Sequence, residues 1–377
     1  METVDPSEGE RRRITFVEAL GKGGFGAVYL ADIRSRDNFA QRLAVKVLNE
    51  ELGDNLELVG RQRDEARLLA QLNHDHIVKV FDLTEINGRP ALFMEYVPGV
   101  DACRLMSLGP VPARAALEIA AATASALYAA YNTVSPFTGR PLHVIHRDIK
   151  PSNLLVSKHG TIKVLDFGIA RADFDREGKT KSVQFGTARY MAPEQWLGEG
   201  LTATVDVFAL GITMIELLKG APAERLPLRP DKFNAGRDAQ IAGIRNPRWG
   251  TVWWRKLEEL LQDMLSLDAA DRPSAEHVQD ICVQLSEDIG GLSLRRYARE
   301  QVPDLIEAQR AKMKGTSLLP SADLVMTGDQ DPSILTGSKS FVPDGERELP
   351  PAFGAGWWTQ VALVAGIALS FWWFITG

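Results

Sequence analysis

Hydrophobic residues alternate with polar ones from Ile14 to about Val97, in short runs of Val, Phe, Leu and Tyr separated by turn residues. That two-residue period predicts a small twisted sheet. One interruption, near residues 57–72, sets Leu58, Ala66, Leu69 and Leu72 among Arg and Asp, the one-faced pattern of a helix. Pro98-Gly99 punctuates a hinge. Beyond it, the alanine-rich run from Ala113 to Tyr131 and the stretches 203–219 and 253–265 predict a mainly α-helical second lobe. Pro136 to Pro141 reads as a loop, and 221–250, without clear periodicity, as surface helices and loops. Residues 294–313 are charged and helical in pattern, with Pro303 expected to break them. The stretch 315–356, rich in Gly, Ser, Thr, Pro and Asp, reads as a disordered linker.

Polarity then stops. From Trp357 to Thr376 there is no charged residue, and about 20 helical residues span about 30 Å, the thickness of a bilayer core. Trp357 and Trp358 sit at one end and Trp372 and Trp373 near the other, as interfacial aromatics do. A single transmembrane helix over 357–376 is expected; a buried C-terminal helix is the alternative, disfavoured by the polar linker before it. Ala362, Gly366 and Ser370 fall on one small-residue ridge, where two such helices could pack as a homodimer. Little follows the span, so any signal is expected from the cytoplasm, the bilayer or another protein.

Composition changes this picture little. Hydrophobic content of 45% and charged content of 24% are ordinary for a globular chain. A net charge of −6 and the lack of a long basic run argue against nucleic-acid binding. Arg11-Arg12-Arg13 reads as a solvated start to the first strand, after a short disordered lead (residues 1–13). The two cysteines, Cys103 and Cys282, form no C-x-x-C pair and point to a reducing compartment. The acidic, polar N-terminus has no apolar core of a signal peptide.

The chemistry is concentrated in His146-Arg147-Asp148-Ile149-Lys150-Pro151-Ser152-Asn153, with Asp166-Phe167-Gly168 following. One carboxylate can orient an attacking hydroxyl, while an amide and a second carboxylate can hold a metal against a nucleotide. Upstream, Gly21-Lys22-Gly23-Gly24-Phe25-Gly26-Ala27-Val28 fits G-x-G-x-x-G-x-V, whose glycines let backbone N–H groups approach phosphate oxygens. A hairpin, not a βαβ unit, follows it, which removes a dinucleotide fold. Leu43-Ala44-Val45-Lys46-Val47 comes next, then the helical pattern carrying Glu65, and later Ala192-Pro193-Glu194. In this order the chain resembles the eukaryotic-like Ser/Thr protein kinases, most closely their bacterial branch, from about Ile14 to about Ile289.

The resemblance implies an α+β bilobal protein kinase fold over 14–290, with a small β-rich lobe (14–97) and a larger α-helical lobe (98–290). A juxtamembrane helix and disordered linker (291–356) and a membrane helix (357–376) would follow. It implies γ-phosphoryl transfer from ATP, with Mg²⁺ or Mn²⁺, to Ser or Thr of proteins including the chain itself. Asp148 would be the catalytic base, Lys150 would neutralise the γ-phosphate, and Lys46 would hold the α- and β-phosphates, paired with Glu65. Asp64 and Glu57 compete with Glu65, but only Glu65 shares a helix face with Leu69 and Leu72. Asn153 and Asp166 would bind metal. Adenine would sit between Val28 and Ala44 above and Leu155 below, its edge at the backbone of Glu95 and Val97, with Met94 at the rear; a plain core explains these apolar residues equally.

Lys150 and Thr187 favour Ser/Thr acceptors by the same resemblance. Arg147 would couple the catalytic loop to a phosphate on Thr180 or Ser182 of the activation segment, Ile169 to Met191. Asp206 would fix the catalytic-loop backbone, and Glu194 would pair with Arg272. His146 is assigned to a structural stack with Phe167, Leu69 and Val80, and His74 and His76 to a turn rather than a metal site. The enzyme is then expected at the membrane with its kinase domain in the cytoplasm. A pseudokinase scaffold would lack one of Lys46, Asp148, Asn153 or Asp166, and a small-molecule kinase would lack the Ala-Pro-Glu and activation segment; all are present.

Overall fold

A computed structural model describes residues 11–23, 26–34, 40–48, 66–167, 188–198 and 200–325. The first lobe is an antiparallel sheet of β1 (Arg11–Gly23), β2 (Gly26–Arg34), β3 (Ala40–Leu48), β4 (Val80–Ile86) and β5 (Arg89–Glu95). Its strand order is β4-β5-β3-β2-β1, and β9 (Ala322–Val325), from far along the chain, pairs antiparallel with β1 at the edge. Period-two alternation gives this sheet two inner faces. One packs Ile14, Phe16, Tyr29, Val45 and Phe93; the other sets Ala44, Val78 and Met94 against Leu20 and Val28. Strand β1 begins at Arg11, inside the expected lead, so the arginine run starts the strand as its pattern suggested. Of the helix expected near 57–72, residues 66–70 are described as helical; Glu65 lies outside the described residues.

The hinge leads into β6 (Gly99–Asp101), which joins β7 (Leu154–Ser157) and β8 (Ile162–Val164) in a second small sheet. Gly99 is required there, because a Cβ would lie 2.4 Å from the Val156 carbonyl oxygen. The second lobe holds α1 (Ala102–Met106), α2 (Ala113–Asn132), α3 (Pro193–Leu197), α4 (Thr204–Lys219), α5 (Pro230–Ala242), α6 (Thr251–Met264), α7 (Ala275–Ile289) and α8 (Leu294–Met313). Helix α4 is buried almost all round, from Val205 to Leu218, so it is the axis on which the lobe is assembled. Residues 133–142 form the loop expected at Pro136 to Pro141, closed by a bridge between Val134 and Pro141.

Two features depart from the sequence reading. Helix α8 runs unbroken through Pro303. Its buried face of Leu294, Tyr297, Ala298 and Val302 is fixed to the large lobe before the proline is reached, so packing overrides the missing N–H. Residues 322–325 form a strand within the stretch read as linker. No helix among the described residues is long and apolar enough to cross a membrane; the expected span over 357–376 lies outside them.

Candidate active site

The catalytic loop is built on a buried carboxylate. Asp206, in the first turn of α4, accepts the backbone N–H of His146 at 2.6 Å and of Arg147 at 2.7 Å, one on each oxygen. Burial pushes this carboxyl up to about 7, against the pull of the two amides. The grip holds Arg147 at φ 64°, a left-handed conformation that a non-glycine residue adopts only when its surroundings enforce it. The guanidinium Nε of Arg147 is buried and has no hydrogen-bond partner among the described residues.

His146 is fully buried. Its Nδ1 accepts the Asp148 N–H at 3.2 Å and its Nε2 lies 2.9 Å from the Leu165 carbonyl, which assigns the proton to Nε2. Burial lowers it to about 4, so the ring is neutral at pH 7. It lies 4.5 Å from the Phe167 ring, and Leu69, Val80 and Phe167 share one hydrophobic cluster. The imidazole thus spaces the segment of Asp148 from that of Phe167, and the Phe167 ring is the member of the expected stack that it touches.

Asp148 is placed by that spacer. Lys150 Nζ meets its carboxylate at 2.9 Å. Asn153 Nδ2 donates to its Oδ2 at 2.9 Å and to its main-chain oxygen at 2.7 Å. Both donations use the amide nitrogen, so the Asn153 amide oxygen is turned from Asp148. Across the cleft, Lys46 on β3 reaches Asp166 Oδ1 at 2.7 Å. Asp166 has φ 52° and half of its side chain meets solvent. Surrounding protein disfavours its charge, but the Lys46 ammonium outweighs that and holds the carboxyl below its usual range. A strand lysine of one lobe and an aspartate of the other therefore face one cleft.

The donor set suits a hard cation. Among the described residues no group of three or more His, Cys, Asp or Glu could hold a metal. One carboxylate and one amide oxygen, Asp166 and Asn153, are what Mg²⁺ takes from protein when phosphates and waters complete its shell. His74 and His76 form the expected turn: the His76 N–H donates to His74 Nδ1, and His76 Nδ1 faces the Ile162 carbonyl.

Met94 is buried and lines, with Leu69, Val78, Val80, Leu83 and Leu92, a cavity of about 50 Å³ that Lys46 and Asp166 also line. Val28 and Ala44 share its small cluster, and Leu155 lies on β7 opposite Asp101. Gly21, Lys22, Gly23 and Gly26 fall on the β1–β2 hairpin, where Lys22 pairs with Ala27 and Gly23 with Gly26. Gly26 is indispensable, since a Cβ there would meet the Val47 carbonyl oxygen at 2.2 Å. Gly24, Phe25, Gly168, Thr180, Ser182 and Thr187 lie outside the described residues.

Several site residues escaped sequence reasoning. Leu20 joins Val28 and Ala44; its place directly before Gly21 was the available signal. Lys163 on β8 pairs with the Glu95 carboxylate at 2.6 Å, bracing the hinge. The Glu95 N–H is taken by the Lys79 carbonyl. Glu216 is buried on α4 and accepts from the Tyr190 hydroxyl at 2.6 Å and the Ala223 N–H at 2.8 Å, with Arg189 at 3.4 Å. Burial and then Glu216 raise the Tyr190 phenol well above its usual range, so it stays a donor. Glu194 and Arg272 form the expected pair, bidentate at 2.6 and 2.8 Å and buried.

Comparisons with known proteins agree with this geometry. Residues 14–281 match the protein kinase domain. The chain is 36% identical over 207 residues to the tyrosine-protein kinase MasK of Myxococcus xanthus, covering 54% of this chain and 32% of that protein. It is 37% identical over 241 residues to the serine/threonine-protein kinase Pkn1 of Myxococcus xanthus, covering 62% and 32%. With the serine/threonine-protein kinase PknB of Mycolicibacterium smegmatis it shares 39% over 213 residues, covering 54% and 32%. The matched stretch thus spans about a third of these relatives' length. The kinase domain of Mycobacterium tuberculosis PknI superposes with a TM-score of 0.53 at 29% identity, covering 72% of this chain and 96% of that one. With residues 14–281, most of the chain, matched to that domain, the chain belongs to the protein kinase family.

Proposed function

We propose that the chain transfers the γ-phosphoryl group of ATP to serine or threonine hydroxyls of proteins. The observation that carries this reading is the Asp148, Lys150 and Asn153 cluster on the large lobe together with Asp166 of the same lobe, which Lys46 reaches across the cleft from β3. Asp148 orients the acceptor hydroxyl and takes its proton late, so position matters more than basicity. Lys150, already beside that carboxylate, offsets charge on the phosphoryl group in transfer. Asp166 and Asn153 would hold Mg²⁺, which would supply charge neutralisation to the phosphates. With the Glu95 N–H engaged by Lys79, the adenine edge is left to the Glu95 carbonyl and to Val97.

A tyrosine acceptor is the second reading, favoured by the name of one relative; Lys150 and the names of the other two favour Ser/Thr. Incubating the purified full chain with γ-labelled ATP, Mg²⁺ and mixed-acceptor peptides, followed by phosphoamino-acid separation, decides between them. Label on Ser and Thr is expected; label on Tyr alone overturns the choice.

Regulation and location complete the proposal. The buried Arg147 Nε, without a hydrogen-bond partner among the described residues, supports coupling to a phosphate on Thr180 or Ser182. Its sign would be label mapped to those residues. The uncharged run 357–376 supports a membrane anchor and a homodimer built on its small-residue ridge. Deleting the residues after Gly356 should release the kinase from membranes; an unchanged distribution would remove the anchor.

A further inference from the structure

The chain beyond the matched domain returns across both lobes. Helix α8 starts at a Ser293 cap, and its Leu294 N–H donates to Glu118 on α2 at 2.6 Å. Its first turn packs so tightly on the β7–β8 turn that a Cβ on Gly160 would meet Arg295 Cα at 2.6 Å. Leu305 and Ile306 still pack on the large-lobe core, whereas Met313 and Leu319 pack on the small-lobe core. Between them the helix passes the hinge and takes hold of β1. Gln309 Nε2 donates to the Leu20 carbonyl, one residue before the first loop glycine. Arg310 reaches Glu18 on β1 at 3.0 Å. Strand β9 then pairs with the opposite end of β1, at Arg11–Ile14, covering an edge that would otherwise be open.

We infer that residues 293–325 are a strap that ties the glycine-loop strand to the large lobe, and that Gln309 and Arg310 are positioning residues for nucleotide binding. This rests on the ATP-dependent reading above. A loop whose N–H groups must meet phosphates works only where its strand is held, and here the hold comes from a helix rooted in the other lobe. Gln309 grips backbone, so no change at Leu20 can replace it. Arg310 grips a side chain, so a charge swap with Glu18 can.

The test uses the full chain carrying Gln309→Ala, Arg310→Glu, or Arg310→Glu with Glu18→Arg. Removing one hydrogen bond or exposed ion pair should raise the ATP KM and the Kd of a fluorescent ATP analogue about two- to fivefold, with kcat nearly unchanged. Amide exchange in β1 should quicken while α2 and α4 keep their protection, and the charge swap should restore both readouts. Unchanged nucleotide affinity, or protection lost evenly across both lobes, overturns the inference, since a merely structural strap predicts the latter. Should the chain neither bind ATP nor transfer phosphate, the catalytic reading falls and exchange in β1 alone judges the strap: quickened exchange keeps it, unchanged exchange ends it.

Discussion

His146→Phe separates a structural histidine from a catalytic one. The native ring is fully buried and neutral, held at about 4 by burial, against an ordinary 6.5 in the unfolded chain. Between those values the unfolded chain binds one more proton than the folded one. Its stability contribution is therefore complete above 6.5 and is lost as pH falls toward 4. From pH 7 to pH 5 the loss from this one group is about 2 kcal/mol. Phenylalanine keeps the ring contact with Phe167 but orphans the Asp148 N–H and the Leu165 carbonyl. At pH 7 the variant should thus be less stable by about 1–3 kcal/mol per buried group left unpaired. Urea unfolding followed by circular dichroism at both pH values gives the comparison. The parent should lose about 2 kcal/mol more than the variant on going to pH 5. Equal losses would refute a buried neutral imidazole, and nitrogen-15 spectra of the parent ring at pH 5 would show the same failure as a protonated signal.

Further outcomes follow from the other pairs. Arg272→Met strands the Glu194 carboxylate in the core and should cost about 3–5 kcal/mol in urea unfolding, while adding Glu194→Met should recover part of that loss. Lys46→Met removes a partly exposed pair, so melting should barely move. The same variant should lower kcat/KM for ATP about 100-fold or more. Asp166 should then titrate higher than in the parent by carbon-13 NMR, because its lowering depends on Lys46.

The catalytic loop was legible because its chemistry fixes residue type and order: Asp148, Lys150, Asn153 and Asp166 could be named from the chain, and so could the Glu194–Arg272 pair. The sheet was legible from its period, and α2 and α4 from their long apolar runs. What could not be read depends on pairings between distant elements. Lys163 and Glu95 carry no motif, and only the proximity of β8 to the hinge makes them partners. The strap was hidden for three reasons. Its composition is polar, Pro303 argues against a continuous helix, and β9 is recruited through backbone pairing that leaves no side-chain pattern. His146 was legible through family likeness; its residue type alone suggests an acid or base.

Phosphoryl transfer by the purified full chain and by its Asp148→Asn counterpart, with γ-labelled ATP, Mg²⁺ and a protein acceptor, reaches the cleft's chemistry most directly. Asparagine preserves the shape and can still meet Asn153, so nucleotide affinity should hold while transfer falls by about 100-fold or more. Equal transfer by both proteins would mean that the hydroxyl is not oriented at Asp148, and the catalytic reading of this site would be wrong.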